Sequence, residues 1–358
     1  MKIELLEIMA CPKCRNSEIK LEKADFEGHD IIEGLLTCPQ CGNTYKIANG
    51  IPNMIADMPE NGVSGSGNSN KHYEIREANI DYYENIGDVF DIDKIHSVCL
   101  NDFNQQRIEG VVKDIACKTG AEWFLDIGCG TGNVLKFGTK HFKHAVGVDI
   151  SPKLLQQARA KGLDVVRGDI TVLPFRQGVF DAVSSFSVVH HIYDYSFLIM
   201  ELGRAVKKNG FLYTDWDPQK ISHANSILFN MVRVVFFVLV KIGIYNGLAK
   251  SIHSDPDIKI DDQAIDYMKL HPELKEIYKK AEYHEQIRDR GLDREILIKA
   301  LAEAGFDKVD ITGHWQGKKY IDLHLSRMNR IELWLRSKSI QKPVDALMEN
   351  IMIVAHHE

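Results

Sequence analysis

Two pairs of cysteines near the beginning of the chain could bind a metal ion. The stretches CPKC and CPQC pair Cys11 with Cys14 and Cys38 with Cys41. Each C-x2-C turn brings two sulfurs together, and two such turns joined by a hairpin supply the four tetrahedral ligands of a structural zinc site. Redox-active dithiols and plain buried cysteines are the alternatives. We therefore predict a zinc ribbon over residues 1–56, with a structural Zn2+ that offers no open position to a substrate.

A glycine-rich stretch further along could hold a nucleotide-like ligand against the backbone. The sequence FLDIGCGTGN has glycines at 128, 130 and 132, just after an apolar segment that ends in Asp126. Glycines in such a tight turn let a ligand approach the backbone closely. The dinucleotide-binding pattern would place its third glycine at position 133, where this chain has Asn133. A nicotinamide dinucleotide is therefore disfavoured as the ligand.

Two more acids follow the next two apolar segments. Asp149 ends HAVGVD, and Asp169 follows VVRG. A carboxylate at the first position can accept hydrogen bonds from two ribose hydroxyls, and one at the second can accept a hydrogen bond from the amine of an adenine. If each segment is a parallel strand, Asp126 and these two acids lie at one edge of the sheet and converge on one crevice.

The elements that must position these residues alternate between apolar strands and amphipathic helices. We predict a helix in QQRIEGVVKDIACK, because its apolar residues recur at spacings of three and four. Alternation of strands and helices predicts the α/β class with a mostly parallel sheet. The predicted strands are EWFLDIG, HAVGVDI, DVVRGD, FDAVSSF, GFLYTDW, FDKVDIT at 306–312 and NIMIVAHH at 350–357.

Five segments resemble, in order, the motifs of class I S-adenosylmethionine-dependent methyltransferases of the type 11 kind. They are LDIGCGTGN, GVDISPKLLQQAR, GDITVLPF, FDAVSSFSVVHHI and ELGRAVKKNGFLY, and together they span about residues 120–218. The resemblance implies a Rossmann-like seven-stranded sheet, S-adenosyl-L-methionine as cofactor and methyl transfer as the reaction. It implies that Asp126 faces the amino group of the ligand, Asp149 holds the ribose, and Asp169 lies beside the adenine. The implied cofactor-binding residues are Asp126, Gly128, Gly130, Gly132, Asp149, Ile150, Asp169, Ile170 and Phe186.

The cysteine-containing region carries a second resemblance. LLEIMACPKC and LLTCPQCGNTYKIANGIPNMI are similar to the small zinc-ribbon activator of tRNA, ribosomal RNA and release-factor methyltransferases. That resemblance implies an activator fused to its own methyltransferase, and it favours RNA as an acceptor. Residues 1–56 contain more acidic than basic side chains, however. We therefore expect the ribbon to support the enzyme rather than to grip RNA.

Few residues are obligatory for methyl transfer to a nucleophilic atom beyond those that align the acceptor and accept a proton. The weak candidates for a catalytic role are His190 and His191 after the fourth strand, Asp215 after the fifth, and Tyr83 in DYYENIG. The two histidines also fit a helix start in which their imidazoles cap or pack, and we favour that interpretation. Tyr83, like Tyr82, fits core packing as well.

The rest of the chain divides around the sheet. Residues 57–70 are rich in Gly, Ser and Asn and predict a flexible linker. We assign 71–218 to the N-terminal helices and the cofactor-binding core, 219–290 to a helical lid insertion, and 291–358 to the end of the sheet. The lid segment 226–249 is apolar nearly all round, so it is a buried helix, a membrane-contacting helix or the wall of a greasy acceptor pocket. Its uninterrupted apolar run is too short to span a bilayer.

The apolar lid favours a small or lipophilic acceptor. Residues 314–342 carry an excess of Lys and Arg, which indicates either a solvated helix face or contact with an anionic acceptor such as RNA. An RNA or translation-factor methyltransferase is therefore the alternative. A ribbon-led interaction protein with a scaffold methyltransferase fold is a second alternative, although the three acids argue against it. The sequence does not identify a partner protein.

The composition is that of an ordinary globular protein. The 358 residues are 44% hydrophobic and 26% charged, with a formal net charge of −6, so the chain as a whole is not attracted to phosphate backbones. Glu4 and Glu7 interrupt what would have to be the apolar part of a secretory signal. We expect a cytoplasmic protein whose cysteines are thiols or metal ligands.

Overall fold

The computed structural model describes residues 1–56, 69–93, 96–220, 231, 271–274, 291–314 and 350–357. The predicted linker lies outside these ranges except for Ser69 and Asn70, which begin a helix. Most of the predicted lid and nearly all of the basic segment 314–342 also lie outside them.

A seven-stranded sheet forms the centre of the molecule, as the sequence predicts. Its order is β10-β11-β9-β8-β5-β6-β7, and β11 is antiparallel to both of its neighbours while the other strands run parallel. This is the strand order of the class I methyltransferase fold. The strands are β5 Trp123–Ile127, β6 His144–Asp149, β7 Val165–Arg167, β8 Phe180–Phe186, β9 Val206–Pro218, β10 Phe306–His314 and β11 Asn350–His357.

Both faces of this sheet are buried. Leu125 and Ile127 of β5 belong to one buried apolar cluster, while Phe124 belongs to another, because successive side chains of a strand point to opposite faces. Parallel strands that are covered on both sides read as nearly continuous apolar runs, which explains why the sequence reveals them.

Helices connect the strands and begin at polar capping residues. Ser151 caps α4 by accepting a hydrogen bond from the backbone of Leu154, and Pro152 occupies the first turn, where its missing N–H costs nothing. Asp194 and Asp293 cap two further helices in the same way. The α-helices within the described residues are α1 Ser69–Ile86, α2 Asp102–Lys118, α3 Leu135–His141, α4 Pro152–Ala160, α5 Tyr195–Ala205 and α6 Arg294–Glu303.

The N-terminal region forms a separate four-stranded antiparallel sheet. Its strands are β1 Lys20–Glu27, β2 Asp30–Thr37, β3 Thr44–Ala48 and β4 Ile51–Pro52, in that order. The ribbon continues past β4 to the outer edge of the large sheet, where Asn53 pairs in parallel with Arg167 of β7 and the N–H of Met54 donates to the Arg167 carbonyl at 2.7 Å. The ribbon thus covers the backbone edge that β7 would otherwise expose.

An ion pair with a buried acid fixes the ribbon to the helix after β8 and to the segment after β7. The guanidinium of Arg15 donates to both carboxylate oxygens of Glu201 at 2.7 and 3.1 Å, and to the carbonyl of Leu173 at 3.0 Å. Glu201 is only 5% exposed and also accepts from the Leu173 backbone. Apolar side chains of the ribbon and of the large domain form one continuous buried cluster. The two parts therefore share a core.

The two ends of the predicted lid insertion meet at the end of β9. Gln219 pairs in parallel with Leu292, and the Lys220 N–H donates to the Leu292 carbonyl at 2.8 Å. Within the insertion, Leu274 packs in a small buried cluster with Tyr82 and Ile86 of α1. Among the helices that the structure describes, none is long and apolar enough to cross a membrane.

Candidate functional site

A cavity of about 310 Å3 opens at the carboxyl ends of the parallel strands. This size is at the lower end of the range for small-molecule sites. It lies above the strand ends because the loops that follow β5 to β9 all emerge there, as ligand sites do in open α/β sheets. Eight of the nine cofactor residues implied by the sequence line it, namely Asp126, Gly128, Gly130, Asp149, Ile150, Asp169, Ile170 and Phe186.

The glycine loop after β5 needs glycine for two different reasons. Gly128 and Gly130 both have positive φ angles and line the cavity, and a Cβ on Gly128 would lie 2.5 Å from Val188. Gly132 does not line the cavity. A Cβ there would lie 2.1 Å from the side chain of Leu163, so this glycine allows the loop to pack on the core.

Asp149 ties the glycine loop to the end of β6. One carboxylate oxygen accepts a hydrogen bond from the Gly130 N–H at 2.8 Å, and the other accepts from the Ser151 N–H at 2.9 Å. The residue is 8% exposed, and burial raises the pKa of its carboxyl. The arrangement fixes the carboxylate at the cavity wall, where its remaining lone pairs can accept from hydroxyl groups.

Asp126 is buried at the base of the cavity without a basic side chain among its principal electrostatic partners. Desolvation by burial raises the pKa of Asp126 to about 7, and the nearby charge of Asp149 adds to the rise. The hydroxyl of Ser184 donates to Asp126 at 2.6 Å and opposes it. Two buried acids near each other favour a cationic ligand, since a positive charge would stabilise both ionised forms.

The turn after β7 holds Asp169 and Ile170 against the cavity. Asp169 caps this turn, accepting from the Thr171 N–H at 2.9 Å and from the Thr171 hydroxyl at 2.6 Å. The ribbon donates hydrogen bonds to the chain on both sides of the turn, to the carbonyls of Arg167 and Leu173. The ribbon is therefore connected to the cavity through the residues that the sequence assigns to adenine recognition.

Three of the four candidate catalytic residues also line the cavity, namely Tyr83, His190 and His191. The Tyr83 hydroxyl and Nε2 of His191 lie 3.2 Å apart, and the two histidine rings are 4.1 Å apart between centroids. Nδ1 of His190 lies 2.8 Å from the carboxylate of Asp217.

Asp215, the fourth candidate, does not line the cavity. Its carboxylate is fully buried, forms an ion pair with Arg107, and accepts a hydrogen bond from the Tyr213 hydroxyl at 2.7 Å. Trp216 follows with a φ of 63°, and the pairing with β11 shifts register here. A bulge of this kind re-aims the side chains that follow it, so Asp217 reaches His190.

Several cavity residues escaped the sequence analysis. The φ of Trp216 places its ring in the cavity wall, stacked on Phe186 with centroids 5.8 Å apart. Helix α1 contributes a row of side chains to the cavity wall. Their helical spacing can be read from the sequence, but their position beside the cavity cannot. The missed lining residues that matter most are Ile75, Arg76, Asn79, Phe90, His96, Trp216 and Pro218.

The four predicted metal ligands come together in the ribbon. Their sulfurs all lie within 4.8 Å of one another, with Cys11 to Cys41 at 3.6 Å and Cys14 to Cys38 at 3.5 Å. A tetrahedral zinc site with Zn–S bonds of about 2.3 Å requires sulfurs about 3.8 Å apart. Although burial opposes ionisation, backbone N–H groups lower the pKa of Cys38 to about 7. The cluster therefore fits zinc.

The strand order and the row of strand-end acids define a class I methyltransferase core. Comparison with known families agrees: residues 125–214 match the family model described as "Methyltransferase domain", and residues 2–50 match the one described as "Trm112p-like protein". The chain therefore contains a methyltransferase domain and, before it, a Trm112p-like domain with the four-cysteine cluster. Both family resemblances of the sequence are confirmed.

The names of similar proteins specify different methyl acceptors. The chain is 44% identical over 66 residues to "Probable tRNA methyltransferase 9B" of Bos taurus, covering 18% of this chain and 14% of that protein. It is 34% identical over 110 residues to malonyl-(acyl-carrier protein) O-methyltransferase of Herminiimonas arsenicoxydans, covering 30% of this chain and 42% of the relative. The aligned stretches thus span less than half of these relatives.

A solved S-adenosylmethionine-dependent methyltransferase from Mesorhizobium loti is 15% identical to this chain. The alignment covers 69% of this chain and 96% of that one, with a TM-score of 0.39.

Proposed function

We propose that the protein binds S-adenosyl-L-methionine in the cavity and transfers its methyl group to an acceptor. The observation that carries the proposal is the pair of buried acids, Asp126 and Asp149, beneath a glycine loop at the strand ends. S-adenosylmethionine carries an ammonium group and a sulfonium, which are the cationic groups that such a pair favours. When bound, it supplies an electrophilic methyl group.

The cavity residues divide the binding task. Asp149 holds the ribose hydroxyls, Asp126 receives the ammonium group, and Asp169 with Ile170 flanks the adenine. Gly128 and Gly130 let the ligand lie against the backbone. We propose that the four-cysteine cluster holds one structural zinc, which fixes the two knuckles of the ribbon.

We propose that the acceptor is a small or lipophilic molecule bound between the cavity and the insertion 219–290. Both ends of the insertion meet at Gln219 and Leu292, next to Pro218 in the cavity wall. Leu274 packs on the helix that lines the opposite side. The wall near the histidines is aromatic, with Phe90, Phe186 and Trp216. An insertion that covered the cavity would exclude water from the reacting atoms.

RNA or a translation factor is the second candidate acceptor. The Trm112p-like match and the tRNA methyltransferase among the similar proteins favour it. The basic segment 314–342 that would contact RNA lies almost entirely outside the described residues.

Radiolabelled S-adenosylmethionine distinguishes these acceptors. The protein is incubated with cell extract separated into solvent-extractable small molecules, RNA and protein, with Asp149→Asn as the matched control. We expect label in the small-molecule fraction. Label that ribonuclease releases would establish the RNA alternative instead. If no fraction accepts label above the Asp149→Asn control, the proposed activity is wrong.

A shortened chain tests the place of the acceptor. Replacing residues 222–285 by a Gly-Ser connector should leave the binding of S-adenosylhomocysteine within about tenfold, because the cofactor residues stay in place. Methyl transfer should be abolished. An equally active shortened chain would exclude an acceptor site under the insertion.

A further inference from the structure

His190, which lines the cavity, forms a buried pair with Asp217 behind it. Nδ1 of the histidine lies 2.8 Å from Oδ1 of the aspartate, and the His190 backbone N–H donates to the same oxygen at 3.2 Å. The two side chains are 8% and 0% exposed. The other oxygen of Asp217 is buried and has no hydrogen-bond partner within the described part of the chain. A buried carboxylate held in this state costs stability, which makes the pair a candidate for function.

The backbone around the pair is strained. Ser187, just after β8, has a φ of 59°, and Trp216, near the end of β9, has a φ of 63°. The Ser187 N–H donates to the carbonyl of Asp215, the residue before Trp216, at 2.7 Å, so a hydrogen bond joins the ends of β8 and β9 here. Strain of this kind persists only where the surrounding structure fixes it, and it is common at functional sites. Here it brings Asp217 to the histidine.

On the basis of the proposed methyl transfer, we infer that His190 is the general base that takes the acceptor's proton and that Asp217 is the residue that positions it. The inference defines the acceptor as a molecule that carries an ionisable O–H or N–H group. With Nδ1–H donated to the carboxylate, Nε2 becomes the nitrogen that accepts a proton from a ligand. The carboxylate also stabilises the imidazolium that results.

The proton and the electrons balance in this step. The acceptor oxygen or nitrogen forms a bond to the methyl carbon while the carbon–sulfur bond breaks, and the electron pair of that bond stays on sulfur. The acceptor proton moves to Nε2 of His190 and later passes to solvent. The His191 ring packs against this imidazole with centroids 4.1 Å apart, and the Tyr83 hydroxyl lies 3.2 Å from Nε2 of His191.

Nuclear magnetic resonance of histidine ring nitrogens tests the inference without turnover. The full chain is labelled with 15N-histidine and saturated with S-adenosylhomocysteine, and the signals of His190 are assigned with His190→Gln. We expect the neutral Nδ1–H form in the wild type and its loss as the major form in Asp217→Asn. The matched control is Asp307→Asn, which breaks another histidine–aspartate contact, with His356 at 3.3 Å, at the opposite edge of the sheet. It should leave His190 unchanged.

Two outcomes of this measurement would overturn the inference. One is a wild-type His190 in the Nε2–H form, because Nε2 would already carry a proton and could not accept one from the acceptor. The other is a ring form that Asp217→Asn leaves unaltered. Calorimetry keeps the proposed function separate: a wild type that fails to bind S-adenosylhomocysteine refutes cofactor binding, whereas normal binding with the wrong ring form refutes only the base.

A matched pair of acceptors tests the chemical step. 1-Naphthol must lose a proton, whereas 1-naphthoate at pH 7 has none to lose. With labelled S-adenosylmethionine, His190→Gln and Asp217→Asn should lower kcat for naphthol by about 100-fold or more, with KM within about threefold. Transfer to naphthoate should fall less than about threefold. If the variants lose as much activity towards naphthoate as towards naphthol, His190 is not the general base. If the wild type methylates neither compound, the magnetic resonance measurement of the His190 ring decides the question.

Discussion

Asp126 should make ligand binding depend strongly on pH. In the ligand-free protein, burial raises the pKa of this carboxyl to about 7. About three-quarters of the molecules then carry an ionised Asp126 at pH 7.5, and only about 3% at pH 5.5. An ammonium ligand binds the ionised form. The affinity for S-adenosylhomocysteine should therefore fall roughly 20- to 30-fold between pH 7.5 and pH 5.5.

Calorimetry in buffers of different ionisation enthalpy measures both the affinity and the protons released. At pH 6 the wild type should release about one proton on binding. Asp126→Asn should bind about 10- to 150-fold more weakly at pH 7.5, because a charge-assisted contact is lost, and should lose most of the pH dependence. Any pH dependence of the affinity that remains in this variant comes from other groups such as Asp149. The reasoning would be refuted if the affinity of the wild type changed by less than threefold between pH 7.5 and pH 5.5, or if Asp126→Asn kept the same pH dependence as the wild type.

The same raised pKa has the opposite effect on the ligand-free fold. A carboxyl whose folded pKa lies above its unfolded value contributes stability that is fully present below pH about 4 and is lost as the pH rises through about 7. The Tm of the ligand-free wild type should therefore fall from pH 5 to pH 8. The Tm of Asp126→Asn should fall less.

Three further predictions concern the zinc, the glycine loop and the ribose acid. Elemental analysis should find one zinc per chain, and Cys38→Ser should lose most of it on dialysis against a mild chelator; full retention would contradict the four-cysteine site. Gly132→Ala should destabilise the fold by about 1 to 3 kcal/mol more than Gly162→Ala, because both glycines have similar positive φ angles but only the first would place a Cβ 2.1 Å from Leu163. Equal Tm values for the two variants would contradict the packing role. Asp149→Asn should weaken binding of S-adenosylhomocysteine by about 10- to 150-fold in calorimetry, since the amide cannot accept all the hydrogen bonds of the carboxylate; an unchanged affinity would remove Asp149 from the ribose site.

The features that the sequence predicted correctly are those with a local signature. The central strands were readable because strands that are buried on both faces are nearly continuous apolar runs. The convergence of Asp126, Asp149 and Asp169 followed from topology alone, since parallel strands bring their carboxyl ends to one edge. The cysteine cluster followed from the spacing of the two knuckles.

The features that the sequence missed depend on tertiary structure. The contact between Asp217 and His190 could not be read from the sequence, because the bulge at Trp216 breaks the regular alternation of side chains and nothing in DWDP marks a positive φ at a tryptophan. Gly132 was grouped with the ligand glycines because a glycine needed for packing looks the same in sequence as one needed for binding. The cavity face of α1 was invisible because the helix could have docked elsewhere.

The ribbon and the sheet edge it covers belong to one chain, and this affects how the assembly responds to dilution. A separate subunit leaves its partner when the concentration falls below the dissociation constant. A covalently joined one meets its docking site at an effective concentration on the order of millimolar. Weakening the contact between Arg15 and Glu201 would therefore show in the Tm of the whole chain and not in any dependence on protein concentration. The ratio of ribbon to cofactor cavity is therefore fixed at one to one, regardless of how much protein the cell makes.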